Sequence, residues 1–126
     1  MNLQTLFKIN FVIALFFGVS CGIFASWVLK LYGIEPASAL IWTTRLAGGS
    51  ILGFSSLMWF GAVAASYETR RVIAFALLIQ DMFGLIASLE ILLRGSINIL
   101  GWSNPFIYGI LAFGYAYFLF IKPSGS

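Results

Sequence analysis

Apolar and polar positions divide the chain into four long hydrophobic segments, at about 9–31, 37–65, 72–93 and 105–121, separated by short polar breaks. At a rise of ~1.5 Å per residue, about 20 helical residues cross a hydrocarbon core of ~30 Å, so each segment reads as a membrane-spanning helix. The breaks carry turn chemistry. Tyr32-Gly33-Ile34-Glu35-Pro36 predicts a tight turn, with Pro36 suited to the first turn of the next helix. Residues 66–71 predict a polar loop with Thr69 as a helix N-cap. The longest connection, 95–104, contains Ile97, Ile99 and Leu100, which places it in the headgroup zone or folds it back on the helices. Ser103 or Asn104 before Pro105 marks the last helix start. The predicted fold is an all-α integral membrane protein. A single domain over 1–126 forms four transmembrane helices in an up-down antiparallel bundle.

Composition sharpens this reading. Of the 126 residues, 61% are hydrophobic and 9% charged, against about 25% charged in a soluble domain. The net charge of +3 comes from basic residues scattered mostly at segment ends, which is not a nucleic-acid footprint. The chain has no histidine, so histidine-ligated haem, chlorophyll and zinc are excluded within it. A single cysteine, Cys21, excludes an internal disulfide and a CxxC pair, and is expected to be a small packing residue. The apolar run after Lys8 continues past Cys21, well beyond the 7–15 residues of a signal-peptide core, so an uncleaved helix is expected.

Small residues suggest how the helices meet. Ala14, Gly18, Gly22 and Ser26 recur every four positions in the first segment. Gly49 and Gly53 form a GxxxG pair in the second, and Gly84 lies in the third. Such stripes let helices approach closely in lipid. Lys8, Arg70, Arg71 and Lys122 flank one side of the spans, against Lys30 and Arg94, with Arg45 a third, on the other. The positive-inside rule then predicts both termini in the cytoplasm, with Trp27, Trp42 and Trp102 near the opposite interface.

Four polar groups lie where hydropathy does not explain them: Arg45, Gln80, Asp81 and Glu90. A carboxylate at mid-bilayer costs roughly 2.5–3.5 kcal/mol on insertion scales, and such residues face a bundle interior or a wet cavity. Asp81 shares a helical face with Ala74, Gly84 and Ser88, whereas Glu90, nine residues on, points the other way, which excludes a carboxylate dyad. Glu90 and Arg94 are spaced for an interfacial i,i+4 ion pair. From the helical rise, Arg45 lies ~9 Å and Asp81 ~18 Å below the outer boundary, within reach of an arginine side chain. Arg45 shares a face with Gly48, Gly49, Leu52 and Ser56. An Arg45–Asp81 pair that fixes helix register is the favoured arrangement. If Asp81 is instead unpaired and wet, it could carry a proton or bind a cation.

No nucleophile–base set, phosphate loop or metal-ligand cluster is visible, and no cofactor is expected. The first segment carries Asn10 and no acid, unlike small multidrug-resistance transporters with their mid-membrane Glu. Trp42-Thr43-Thr44-Arg45 does not fit the Thr-Thr-Phe-Ser context of small fluoride channels. The run Arg45-Leu-Ala-Gly-Gly-Ser-Ile-Leu-Gly resembles, loosely, the second helix of small bacterial four-helix proteins and implies no activity. The leading expectation is a small non-enzymatic integral membrane protein: an accessory or assembly subunit of a larger complex in the bacterial cytoplasmic membrane, acting by packing on lipids, pigments or other transmembrane helices. The alternative is a small homo-oligomeric transporter or channel using Asp81 with Arg45. A lipid-modifying enzyme using Asp81 or Glu90 is the least favoured reading.

Overall fold

The computed structural model describes residues 2–95 and 97–121. These are mostly helical, with no strand among them. The elements are α1 (Leu3–Ile23), α2 (Ala25–Leu31), α3 (Ser38–Val63), α4 (Tyr67–Leu93), a 3₁₀ turn (Ile99–Trp102), α5 (Ser103–Ala116) and a π-helical end (Tyr117–Ile121). Four helices are long and apolar enough to cross a membrane: Leu3–Ile23, Ser38–Val63, Tyr67–Leu93 and Ile99–Ile121. Their outward side chains, such as Val12, Phe16, Trp42, Phe83 and Phe113, are as apolar as those inside. That is the arrangement lipid requires.

The first apolar segment is two helices rather than one. It starts earlier than its hydropathy, at Leu3, because the Asn2 side chain accepts a hydrogen bond from the Thr5 amide at 2.8 Å. It breaks at Phe24, whose backbone leaves the helical region (φ −108°, ψ 37°). No proline is needed. Ser20 Oγ donates to the Phe16 carbonyl at 2.8 Å, and this back-bonding bends helices, the more so with Gly22 beside it. Ser26 therefore falls beyond the break, off the α1 stripe.

Gly33 then ends α2 at φ +75°, with its amide on the Lys30 carbonyl and that of Ile34 on the Leu29 carbonyl. α3 begins at Ser38, two residues after Pro36, so Pro36 precedes the helix rather than opening it. The polar run 66–71 is helical from Tyr67, and Thr69 is inside α4 rather than its cap. The arginine explains the extension: Arg70 Nη1 folds back to donate to the Ala64 carbonyl at 2.6 Å and is buried.

α1 and α3 pack most intimately. Phe7 lies on Gly61, Leu52 on Gly18, and the Gly48 and Gly22 backbones touch, so contacts run in opposite directions along the two helices. α4 packs on α5, with Tyr108 against Gly84. The apolar core gathers where the start of α1 meets the end of α5. Leu3, Phe7, Leu77 and Tyr115 are completely buried there, and the Phe7 and Tyr115 rings lie 5.7 Å apart. The connection after α4 folds back. Asn98 donates through its amide to the Tyr32 carbonyl (3.1 Å) and through Nδ2 to that of Leu31 (2.8 Å), tying it to the end of α2.

Candidate functional site: a polar cavity around Asp81

Asp81 is the fifteenth of the 27 residues of α4, so it sits at the middle of the helix. It lies on the buried face with Ala74, Leu77 and Ser88 and is only 3% exposed. α4 thus turns a carboxylate into the protein at the middle of a helix long and apolar enough to cross a membrane. The side chain opens into a cavity of about 160 Å³ to which all four long helices contribute. α1 supplies Asn10, α4 supplies Gln80 and Asp81, α5 supplies Asn104 and Tyr108, and Tyr32 closes one end. The remaining wall is apolar, from Ile13, Phe17, Ile51, Met58 and Leu111 among others. Cys21, a free thiol, also lines it.

Part of the polar lining is tied down. Asn10 Nδ2 donates to the Tyr115 hydroxyl at 2.6 Å, joining α1 to α5 in the interior. The Tyr32 hydroxyl donates to Asn104 Oδ1 at 3.1 Å, joining the end of α2 to the start of α5. Two oxygens on consecutive residues of α4 are not: Asp81 Oδ2 and Gln80 Oε1 are buried without a hydrogen-bond partner. Buried acceptors left unmade cost about 1–3 kcal/mol each, and more when charged.

The favoured pair does not form. Arg45 is exposed, and among the described residues the one ion pair is Arg94 Nη2 to Glu90 Oε1 at 2.9 Å. The reason is rotational. The buried face of α3 runs through Gly48, Ser55, Met58 and Ala62, and Arg45 stands about 80–140° round the helix from the last three at 100° per residue. The Glu90–Arg94 pair is itself solvent-facing, with side chains 62% and 72% exposed, and contributes a few tenths of a kcal/mol.

The glycines also divide. A Cβ on Gly18 would meet Leu52 at 2.7 Å, and one on Gly84 would meet Tyr108 at 2.5 Å. Gly22 has open space beyond its own Cα yet touches Gly48 through its backbone. Gly49 and Gly53 have nothing within 4 Å, so the GxxxG pair packs against no part of this chain among the described residues. Gly48, Gly61 and Gly114 are the close contacts that spacing did not single out. Each meets a helix distant in sequence, so no local pattern marks it. Asn104 enters the sequence reading only as a helix start and Asn10 only as a residue of an acid-free first segment, although a polar residue in an apolar run is the available signal. Lys122, used for orientation, lies outside the described residues.

Below this chamber, Leu6, Ile9, Ile110 and Phe113 line a larger apolar groove between α1 and α5. Ile13, Ile107 and Leu111 belong to both spaces and form the partition. In comparisons with protein-family models, with curated proteins and with solved structures, no match to the chain is found.

Proposed function

We propose that the chain crosses the membrane as an up-and-down four-helix bundle with both termini cytoplasmic, and that its interior cavity takes up a small polar solute or cation for transport. The observation that carries this reading is Asp81: a mid-helix carboxylate, 3% exposed, with an unpartnered oxygen in a cavity edged by amides and phenols. A residue whose task was only to hold helices together would be cheaper as an apolar side chain of similar size. A solute that neutralises and hydrogen-bonds the carboxylate supplies the missing partner. Arg45, turned outward, has no part in the cavity. The reading requires no reaction at the site.

The test is flux in liposomes reconstituted with the full chain, following protons, Na⁺ and K⁺ with internal dyes. Asp81→Asn is expected to abolish flux while keeping the wild-type circular dichroism and elution volume. A folded Asp81→Asn protein that transports as well as the wild type would remove Asp81 from the pathway.

A second reading, assembly with other transmembrane helices, is favoured by the outward face of α3, where Gly49 and Gly53 meet nothing and Ser50 and Ser56 are exposed beside them. It is compatible with a homo-oligomeric transporter and also with an accessory subunit of a bacterial cytoplasmic-membrane complex. Native mass spectrometry after mild extraction distinguishes them. A fixed stoichiometry with other chains supports the subunit, a homo-oligomer supports the transporter, and a monomer removes the assembly role.

A further inference from the structure

The geometry points to a protonated primary amine, a compact alkylammonium ion, as the ligand of the Asp81 cavity. This rests on reading the cavity as a solute site and adds the chemical class of the solute.

Three features select it. First, Asp81 and Gln80 bring acceptors without a donor to the lining of the cavity. Asp81 Oδ2 and Gln80 Oε1 are both buried and both without a donor. An ammonium group brings three N–H donors and the compensating charge in one small head, with no acceptor of its own to satisfy. A lone proton on Asp81 would leave the chamber unfilled.

Second, the charge count is one. Among the described residues Asp81 is the only acid lining the chamber, and no group of three His, Cys, Asp or Glu side chains is gathered anywhere among them. A hard divalent cation wants six or more oxygens, usually with several carboxylates. A monovalent organic cation wants one.

Third, the room and its walls suit an organic body. About 160 Å³ is close to the roughly 150 Å³ that holds a molecule of benzene size. Ile13, Ile51, Met58 and Leu111 give the chamber apolar walls, and Phe17 and Tyr108 add aromatic rings of the kind that attract a cation. An alkylammonium of about five non-hydrogen atoms fits within that volume.

The experiment is equilibrium binding of radiolabelled n-butylammonium to the purified full chain in nanodiscs, by scintillation proximity, with unlabelled competitors. Saturable binding is expected at one site per chain. Tetramethylammonium, which has equal charge, similar size and no N–H donor, is expected to compete about tenfold or more less well, as is K⁺. Asp81→Asn should weaken binding by about tenfold or more, and Gln80→Met by several-fold. The competitor series needs no variant and so does not depend on how the mutants fold. No saturable binding to the wild type, or equal competition by tetramethylammonium, would overturn the proposal; so would unchanged affinity in folded Asp81→Asn. Proton or inorganic-cation flux without amine binding would remove the amine and leave transport standing. Amine binding without any flux would do the reverse.

Discussion

At the scale of single residues, the protein contrasts two charges that look equally misplaced in its apolar segments. Asp81 is buried and unpartnered; Arg45 is exposed. Because they do not touch, their energies should add. Arg45→Gln is expected to change stability by less than about 0.5 kcal/mol, as exposed substitutions do, and to show no coupling with Asp81→Asn in a double-mutant cycle. Reversible unfolding in mixed micelles measures both quantities. A coupling energy above about 1 kcal/mol would restore the ion pair. The buried Asn10–Tyr115 hydrogen bond behaves differently. Tyr115→Phe leaves the Asn10 amide without its acceptor and should cost about 1–3 kcal/mol by the same measurement. Asp81 stands out from the sequence alone, since a carboxylate in the middle of an apolar run has few uses. Its lack of a partner does not, because nothing local records which way an arginine on another helix will turn.

At the scale of helices, neighbouring glycines on α3 have opposite environments. A methyl group on Gly48 would run into the Gly22 backbone of α1, where no flexible side chain is present to yield. One on Gly49 would enter open space. Gly48→Ala is therefore expected to destabilise by about 1–3 kcal/mol as the α1–α3 pair is forced apart. Gly49→Ala should be neutral or mildly stabilising, since alanine is the better helix former by up to about 1 kcal/mol. Equal effects of the two substitutions would mean that α1 and α3 meet through other faces. The break at Phe24 belongs to this scale as well. The segment reads as one span because every residue across it is apolar or small. Ser20 and Gly22 bend it without interrupting the hydropathy.

At the scale of the molecule, the proposed orientation predicts which ends are reachable from which side. On a Cys21→Ser background, cysteines introduced at Glu68 and Gly95 lie at opposite ends of α4. Membrane-impermeant maleimide added to intact cells should label the Gly95 position and spare Glu68 until the membrane is opened. The opposite result would invert the topology, and labelling of both or neither would refute a simple crossing by α4. The 27 residues of α4 span about 40 Å, longer than a ~30 Å core. Its charged first turn, with Glu68, Arg70 and Arg71, can then lie at the interface while Asp81 stays near mid-depth.

The sequence by itself determined the all-helical class, the four lengths able to cross a membrane, and the acid at the middle of the third. These follow from properties that add up locally, namely apolar run length and the cost of a charge within it. Only the tertiary structure decided which face of each helix turned inward. In a soluble protein hydropathy makes that choice, because water rejects the apolar face. Here lipid accepts the outward face as readily as the interior does, so hydropathy separates them poorly. On α3 both faces carry small residues, and the contact of Gly48 with Gly22 turned one inward, leaving Gly49, Gly53 and Arg45 outside. That rotation, together with the polar residues brought in by α1 and α5, left Asp81 facing a cavity instead of an arginine.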